Sequence, residues 1–100
     1  MTTKPDSVLR TNYDANADVL YVTLGRAREA WCEEDEKGLV WRHDEANDRL
    51  FGVTILSFRK HWSPRERELA RVVAKRLSIS FDVLLRELHT AIDSADLMRK

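Results

Sequence analysis

Hydrophobic and polar positions alternate with a period of two in the first half of this chain and with a helical period in the last third. The alternating part predicts about five short β-strands over residues 8–57, and the helical part predicts two α-helices over residues 63–94. Strands with short connections are typical of an antiparallel meander. We therefore expect an α+β fold: an antiparallel meander of about five strands followed by two C-terminal helices packed on one face of the sheet. Residues 8–100 would form a single domain, preceded by a flexible polar tail at residues 1–7.

A repeat marks two of the predicted hairpins. Residues 13–24 and 43–55 each contain a polar turn that begins and ends with aspartate and leads into an apolar strand. The second copy carries one additional residue, Gly52, which predicts a β-bulge, and it has His43 where the first copy has Tyr13. Aspartate side chains accept hydrogen bonds from nearby backbone N–H groups, so these aspartates are predicted to stabilise the turns. They are Asp14, Asp18, Asp44 and Asp48.

The second and fifth predicted strands are apolar on both of their faces. If the helices cover one face of the sheet, apolar side chains remain on the other, and uncovered apolar patches often mark interfaces. We therefore expect a homodimer formed through the sheet face. The alternative is a sheet that curves enough to bury both of its own faces. The residues assigned to the dimer face are Val19, Tyr21, Trp31 and Leu56.

Two serines are predicted to cap the helices. Ser63, Pro64 and Glu66 form the pattern of a capping box, in which serine and glutamate satisfy the first N–H groups of a helix. Ser80 is placed to cap the second helix in the same way. Between them, apolar residues recur at a spacing of three or four, which indicates one buried side on each helix.

Composition bounds the function classes. The chain has 100 residues with no net charge, but residues 58–76 contain seven basic and only two acidic side chains, whereas residues 1–57 carry an acidic excess. Zero net charge argues against a general nucleic-acid or membrane binder. The single cysteine cannot form an intrachain disulfide, and no apolar run approaches the roughly 20 residues that span a bilayer. The polar N-terminus is unlike a secretory signal, so we expect a cytoplasmic protein without a membrane segment.

The run from Tyr13 to Leu24, with Gly38-Leu39-Val40 and the stretch from Asp48 to Leu56 downstream, resembles a family of small bacterial proteins catalogued as domain of unknown function 2283. The resemblance covers about residues 8–58. It implies a bacterial strand meander with a helical segment behind it and no established biochemistry. Some relatives look like partners of small toxin-type proteins, which implies an antitoxin-like role. This chain departs from the family in having His43 where an aromatic or acidic residue is usual, and in its longer helical tail.

A weaker resemblance, at residues 70–88, is to the helix-turn-helix of bacterial regulators. Ala74 and Ile79 match the small and apolar positions around the turn. However, Ser78 stands in place of the turn glycine, and Phe81 lies where a polar side chain would read base edges. The alternative is a helix pair that packs on the sheet, with its cations in solvent or paired with the acidic half. The candidate contacts to nucleic acid or to a protein partner are Arg65, Arg71, Lys75, Arg76 and Arg86.

Positive evidence for catalysis is lacking in the sequence. The histidines show no metal-ligand spacing with one another or with Cys32, and neither a nucleophile elbow nor a phosphate-binding glycine loop is present. We therefore assign no catalytic, cofactor or metal-binding residue. The leading hypothesis is a non-enzymatic, homodimeric interaction module with a toxin-like protein as its partner. A DNA-binding regulator is the alternative, and a carboxylate metal site or hydrolase is the third hypothesis.

Overall fold

Five antiparallel strands form one sheet, and two α-helices follow it in sequence, which confirms the predicted α+β class. The computed structural model describes the backbone of residues 8–98 and the side chains of residues 8–94; the predicted flexible tail at residues 1–7 lies outside the described residues. None of the helices described here combines the length and the apolar character needed to cross a membrane. The strands are β1 (Leu9–Asp14), β2 (Val19–Leu24), β3 (Ala30–Glu34), β4 (Leu39–Asp44) and β5 (Leu50–Leu56), and the helices are α1 (Glu66–Leu77) and α2 (Phe81–Met98).

The strand order in the sheet is β1-β2-β5-β4-β3. The chain forms a β1-β2 hairpin and a β3-β4-β5 meander, and the two units join where β2 pairs with β5. This order differs from a single five-strand meander, in which β2 would pair with β3. The physical reason is burial: β2 and β5 are the strands with apolar residues on both faces, and they take inner positions, while the more polar β1 and β3 form the edges.

The two copies of the repeat form the hairpins β1-β2 and β4-β5, and they meet across the β2-β5 pair. Val22 pairs with Val53, and these are equivalent positions of the repeat, so an approximate two-fold axis passes through this pair. The bulge predicted at Gly52 is confirmed. Arg42 pairs with Gly52 and His43 pairs with Leu50, so Phe51 is the additional residue.

Both helices pack on the same face of the sheet and share one hydrophobic core with it. Six strand residues and four helix residues at its centre are almost inaccessible to solvent, and burying a large apolar side chain stabilises a fold by about 1.5–3 kcal/mol. A single core that includes strands and helices defines a single domain. These residues are Leu20, Val22, Leu39, Trp41, Val53, Ile55, Leu69, Val73, Leu84 and Leu88.

The helical region begins at Phe58, five residues before the predicted start at Ser63. A π-helical turn (Phe58–Trp62) and a 3-10 turn (Ser63–Arg65) precede α1. The N-cap residues of the 3-10 turn and of α1 are Trp62 and Arg65, not Ser63, and neither makes a side-chain capping hydrogen bond, so the predicted capping box is wrong. The reason is that Phe58 and Trp62 are buried in the core, which starts the helical winding earlier than the local capping signal.

The predicted cap of the second helix is confirmed. The backbone N–H of Val83 donates to the Oγ of Ser80 at 3.2 Å. This satisfies one of the N–H groups that have no partner within the helix.

Candidate functional site: the basic groove and the outer face of the sheet

The aspartate that ends the first turn joins the β1-β2 hairpin to the start of the helical region. Asp18 has a left-handed backbone (φ 57°), and its carboxylate accepts hydrogen bonds from the backbone N–H groups of Arg59 and Lys60, at 2.8 and 3.1 Å. The phenol of Tyr13 donates a third hydrogen bond, at 2.8 Å. Burial alone would raise the pKa of Asp18, but these donors and the charge of Arg59 hold it below its ordinary value. Burial and the hydrogen bond to Asp18 raise the pKa of Tyr13 to about 12.

The second turn places its aspartate in a different environment. Asp48 is also left-handed (φ 61°), and it accepts a hydrogen bond from the indole N–H of Trp31 at 2.7 Å. The Trp31 ring stacks on His43, with centroids 4.1 Å apart and planes inclined by 8°. Nε2 of His43 lies 2.7 Å from a carboxylate oxygen of Glu33. His43 is therefore a buried, hydrogen-bonded residue in register with the core, as predicted from its place in the strand.

The face of the sheet opposite the helices, here called the outer face, carries a patch of uncharged side chains bordered by Arg42. Val19, Tyr21 and Leu56 lie on it, as predicted, and Leu56 is 39% exposed. The same face carries Val40 and Thr54 next to Tyr21. Many protein interfaces combine an apolar patch with a polar rim, and arginine is among the residues enriched in them.

The assignment of Trp31 to the outer face is wrong. Trp31 pairs with His43, and residues directly opposite each other in a sheet lie on the same face. Because His43 alternates in phase with the buried Trp41, Trp31 lies on the side of the sheet that carries the helices. The sequence shows that Trp31 is in a strand, but not with which register that strand pairs.

The bulge in β5 leaves room for an arginine to lie along the outer face. A Cβ atom at Gly52 would be 2.6 Å from Nη2 of Arg42 and 2.8 Å from the carbonyl oxygen of Val22, so only glycine fits. Nη2 of Arg42 donates to that carbonyl oxygen at 2.9 Å and to Oγ1 of Thr23 at 2.7 Å. The guanidinium lies 5.4 Å from the centroid of the Phe51 ring, and burial lowers the pKa of Arg42. Gly52, beside the additional residue Phe51, therefore makes room for the packing of Arg42.

Three cations form a row along the exposed side of α1. Arg67, Arg71 and Lys75 are four residues apart, which places them on one side of the helix. In the part of the chain that the structure describes, none of the three forms an ion pair with a carboxylate. The guanidinium groups of Arg67 and Arg71 lie 5.7 and 5.9 Å from the centroid of the Phe81 ring. The sequence leaves two possibilities for these cations: exposure to solvent, or pairing with the acidic residues of the first half of the chain. In the described residues, the three cations are exposed to solvent and do not pair with those acidic residues.

This row borders an open groove of about 460 Å³ between α1 and the start of α2. The floor is apolar, and its lining contains no acidic side chain. Such a groove can take up an apolar side chain of a ligand while the cations bind acidic groups on either side. We call it the basic groove; its residues are Arg67, Arg71, Ala74, Lys75, Ile79 and Phe81.

Of the five predicted contact cations, the structure brings only Arg71 and Lys75 together in the groove. Arg65 lies in the 3-10 turn before α1, and the guanidinium of Arg76 lies 4.4 Å from the centroid of the Trp41 ring. Arg86 belongs to α2 and borders a different groove.

Four residues of the groove were not among the predicted contacts: Arg67, Ala74, Ile79 and Phe81. Arg67 precedes Arg71 by four residues, and that spacing is the signal that could have identified it. Phe81 reads in the sequence as part of the apolar stripe of α2, and only the packing of the two helices shows that it lines a groove.

The turn between the helices has features of a helix-turn-helix. Ser78 adopts a left-handed conformation (φ 57°), which glycine favours, and the backbone N–H of Ile79 donates to the carbonyl oxygen of Ala74 at 3.0 Å. Ser80 then caps α2. This geometry is compatible with a helix-turn-helix and equally with an ordinary pair of packed helices, because many helices end in a left-handed cap.

The exposed side of α2 is poorly suited to read DNA. A second groove, of about 540 Å³, lies along this side of α2. It is lined by Arg86, but also by the carboxylates of Glu66 and Asp82. A phosphate backbone placed there would meet negative charge. The exposed residues on this side are Asp82, Val83, Arg86, His89, Thr90 and Asp93.

Comparisons of the chain with protein-family models, with curated proteins and with solved structures gave no match. The resemblance to the family of domain of unknown function 2283 rests on the residues quoted for it and stays a prediction. Among the described residues, no group of three or more histidine, cysteine, aspartate or glutamate side chains is arranged to hold a metal ion. The basic groove and the outer face are therefore the two candidate binding surfaces.

Proposed function

We propose that this protein is a non-enzymatic, homodimeric interaction module that binds an acidic segment of another protein in its basic groove. The observation that carries this proposal is the row of Arg67, Arg71 and Lys75, which has no acidic partner in the described chain and stands beside an apolar floor. A toxin-type protein is the class of partner that the family resemblance implies, and it makes the role antitoxin-like.

The chemistry of the groove favours a protein segment over other anions. Arginine donates paired hydrogen bonds to carboxylates, and the four-residue spacing of the row corresponds to about 6 Å along the helix axis. Ile79 and Phe81 provide an apolar surface that a side chain such as leucine or phenylalanine can cover. An acidic segment with one apolar anchor therefore uses both properties of the groove.

The homodimer part of the proposal concerns the outer face. The helices leave this face open, and Tyr21, Val40 and Leu56 would be shielded from water by a second copy. A two-fold dimer of this kind places the basic grooves of both copies on its outer surfaces, because the helices lie on the opposite side of each sheet.

Binding of a labelled acidic peptide tests the proposed function. A short peptide with leucine flanked by glutamates should bind at low salt, as measured by fluorescence anisotropy. Arg71→Glu or Lys75→Glu should weaken binding about tenfold or more, because each reversal loses an attraction and adds a repulsion. Arg26→Glu, an equal change of charge at an exposed loop residue, is the matched control and should have little effect. No binding at low salt, or equal weakening by Arg26→Glu, would contradict the proposal.

A DNA-binding regulator is the second candidate, and the short turn at the left-handed Ser78, where a helix-turn-helix has glycine, supports it. A short duplex should then bind with a log–log salt dependence of roughly −0.9 per phosphate contact. Binding of duplex that needs Arg71 and Lys75, together with no binding of the acidic peptide, would replace the protein-binding proposal by this one.

A further inference from the structure

Trp31 is an exposed aromatic residue that the structure holds in one orientation. Its side chain lies on the face of the sheet that carries the helices. Because β3 is an edge strand, the side chain is nevertheless 41% exposed. Asp48 fixes its indole N–H at 2.7 Å, and His43 stacks against one face of its ring. His43 is in turn held by Glu33, at 2.7 Å. An aromatic side chain whose rotamer is already fixed loses little conformational entropy on binding, which is a property of residues that dominate interfaces.

In the first copy of the repeat, Asp18 occupies the position equivalent to Asp48, and it binds another segment of the same chain. There, Asp18 uses both carboxylate oxygens, because the backbone N–H groups of Arg59 and Lys60 donate to one oxygen each. Phe58 packs edge-on against Tyr13, with ring centroids 5.7 Å apart. The first turn therefore holds a segment that contains an aromatic residue followed by two basic residues.

In the second copy, Trp31 supplies the aromatic ring and one donor. It stacks on His43, which is equivalent to Tyr13, and it donates to Oδ1 of Asp48. No donor from the described residues binds the other carboxylate oxygen of Asp48. Glu33, two residues after Trp31 on the same strand face, has a side chain that is 52% exposed. The exposed Trp31 ring therefore lies beside the carboxylate of Asp48, while Glu33 holds His43 behind the opposite face of the ring.

Those groups are complementary to an arginine side chain. A guanidinium stacks on tryptophan by cation–π attraction and donates hydrogen bonds to carboxylates in its own plane. The neighbouring strand contains an example within the chain: Arg76 lies over Trp41, with the guanidinium carbon 4.4 Å from the ring centroid. Trp41 lies directly opposite Glu33 in the sheet, so this contact is next to the site.

We infer that Trp31 and Asp48 form a binding site for an arginine of a basic segment in a partner protein. The guanidinium lies on the exposed face of the Trp31 ring and donates to the carboxylate oxygen of Asp48 that Trp31 does not use, while Glu33, behind the ring, adds attraction only at longer range. This site is distinct from the basic groove: it has the opposite charge, it lies at the end of the sheet formed by β3 and β4, and it does not depend on the function proposed for the groove.

A peptide titration followed by NMR tests this inference. The chain has three tryptophans, and the indole N–H signal of Trp31 is identified by its loss in Trp31→Phe. A short peptide of arginine and glycine should shift this signal together with the backbone amides of Glu33 and Asp48. A peptide of glutamate and glycine should not shift it. Absence of a shift with the arginine peptide, or an equal shift with both peptides, would overturn the inference.

Matched variants separate the site from general electrostatic attraction. Asp48→Asn keeps a residue that tolerates the left-handed backbone, and Glu33→Gln keeps the size of the side chain. Asp48→Asn should weaken binding of the arginine peptide about fivefold or more and Glu33→Gln should weaken it less, whereas Glu45→Gln, which removes a charge from an exposed turn residue, should leave the affinity unchanged. Equal weakening by Glu45→Gln would show that only net charge attracts the peptide, and would overturn the inference.

The same spectra distinguish a foreign partner from a second copy of this chain. If the Trp31 signal and the amides of α1 shift together when the protein alone is concentrated, the basic helix of another copy occupies the site, and the inference of a foreign partner is overturned. A Trp31 signal that is independent of protein concentration supports it. Because Arg71→Glu affects only the basic groove, unchanged arginine-peptide binding in that variant separates this inference from the proposed function.

Discussion

At the scale of single residues, the repeat shows that one residue type at one position performs different tasks according to what packs against it. Asp18 and Asp48 have nearly the same left-handed backbone, at φ 57° and 61°. Asp18 binds backbone N–H groups of a distant segment, whereas Asp48 binds the indole of Trp31. The sequence predicts that both aspartates stabilise turns, but it does not show these partners, because the partners are 41 and 17 residues away.

Replacing Asp18 by asparagine should destabilise the protein more than the same change at Asp48. The charge of Asp18 supports hydrogen bonds from Tyr13, Arg59 and Lys60, so its loss should cost about 1–3 kcal/mol at neutral pH. Asp48→Asn, the matched control, loses one contact and should cost less than about 1 kcal/mol. Urea unfolding followed by circular dichroism measures both values. Equal losses would contradict the structural role of Asp18.

The effect of Asp18→Asn should depend on pH. The pKa of Asp18 is lower in the folded protein than its ordinary value of 3.8, so the stability that the ionised group contributes is present above about pH 4. It is lost as the pH falls through the folded-state pKa. The difference in unfolding free energy between the two proteins should therefore be constant near neutral pH and should shrink in strong acid. A difference that grows in acid would contradict this assignment.

The phenol of Tyr13 should titrate late. The chain has two tyrosines, so Tyr21→Phe leaves Tyr13 as the reporter, and its phenolate absorbance should appear with a midpoint at about 12. In denaturant, the midpoint should return to about 10.0. Because the folded-state pKa is the higher one, the stability linked to Tyr13 is present below pH 10 and is lost between pH 10 and 12. A folded-state midpoint at the denatured value would exclude the hydrogen bond to Asp18.

At the scale of elements, the periodicity of the sequence predicts the number and type of the main strands and helices, and the structure shows where that reasoning ends. The β-bulge at Gly52 and the cap at Ser80 are local features, and both are confirmed. The pairing of β2 with β5, the register that places Trp31 beside His43 and the helical start at Phe58 depend on contacts between distant segments. A local pattern does not contain that information.

The two serines at the helix starts provide a direct comparison. Ser80→Ala should destabilise the protein by about 1 kcal/mol, because the N–H of Val83 loses its acceptor. Ser63→Ala should have almost no effect, because Ser63 is the N-cap residue of neither the 3-10 turn nor α1. Thermal unfolding of the two variants tests the comparison. A larger loss for Ser63→Ala would show that helix α1 begins with the predicted capping box after all.

Gly52→Ala should destabilise the protein by about 1–3 kcal/mol, because the added Cβ overlaps Arg42 and the carbonyl oxygen of Val22. Arg42→Ala in the same chain should recover only part of this loss, because the backbone of Val22 cannot move aside. Gly38→Ala is a useful contrast: its Cβ meets no atom within 4 Å, and its cost of about 1 kcal/mol comes from φ +82° alone. Urea unfolding that shows Gly52→Ala to be neutral would contradict the described packing of Arg42.

At the scale of the whole molecule, the helices close one face of the sheet and leave charge and apolar surface in separate places. The basic groove lies between the helices, the acidic Trp31 site lies at the β3-β4 end of the sheet, and the uncharged patch beside Arg42 lies on the opposite face of the sheet. We propose that the outer face binds a second copy and that the charged surfaces stay free for partners. The sequence predicts the excess of basic residues in one segment, but only the fold shows which cations form a groove.

Sedimentation velocity of three proteins tests this arrangement most directly. The wild-type protein should sediment with twice the chain mass of 11.7 kDa at micromolar concentrations. Tyr21→Glu, which places a charge at the centre of the outer face, should sediment as a folded monomer, whereas Trp31→Glu, on the opposite face, should stay dimeric. A wild-type protein that stays at 11.7 kDa at high concentration, or a dimer that Trp31→Glu dissociates as fully as Tyr21→Glu, would contradict the account.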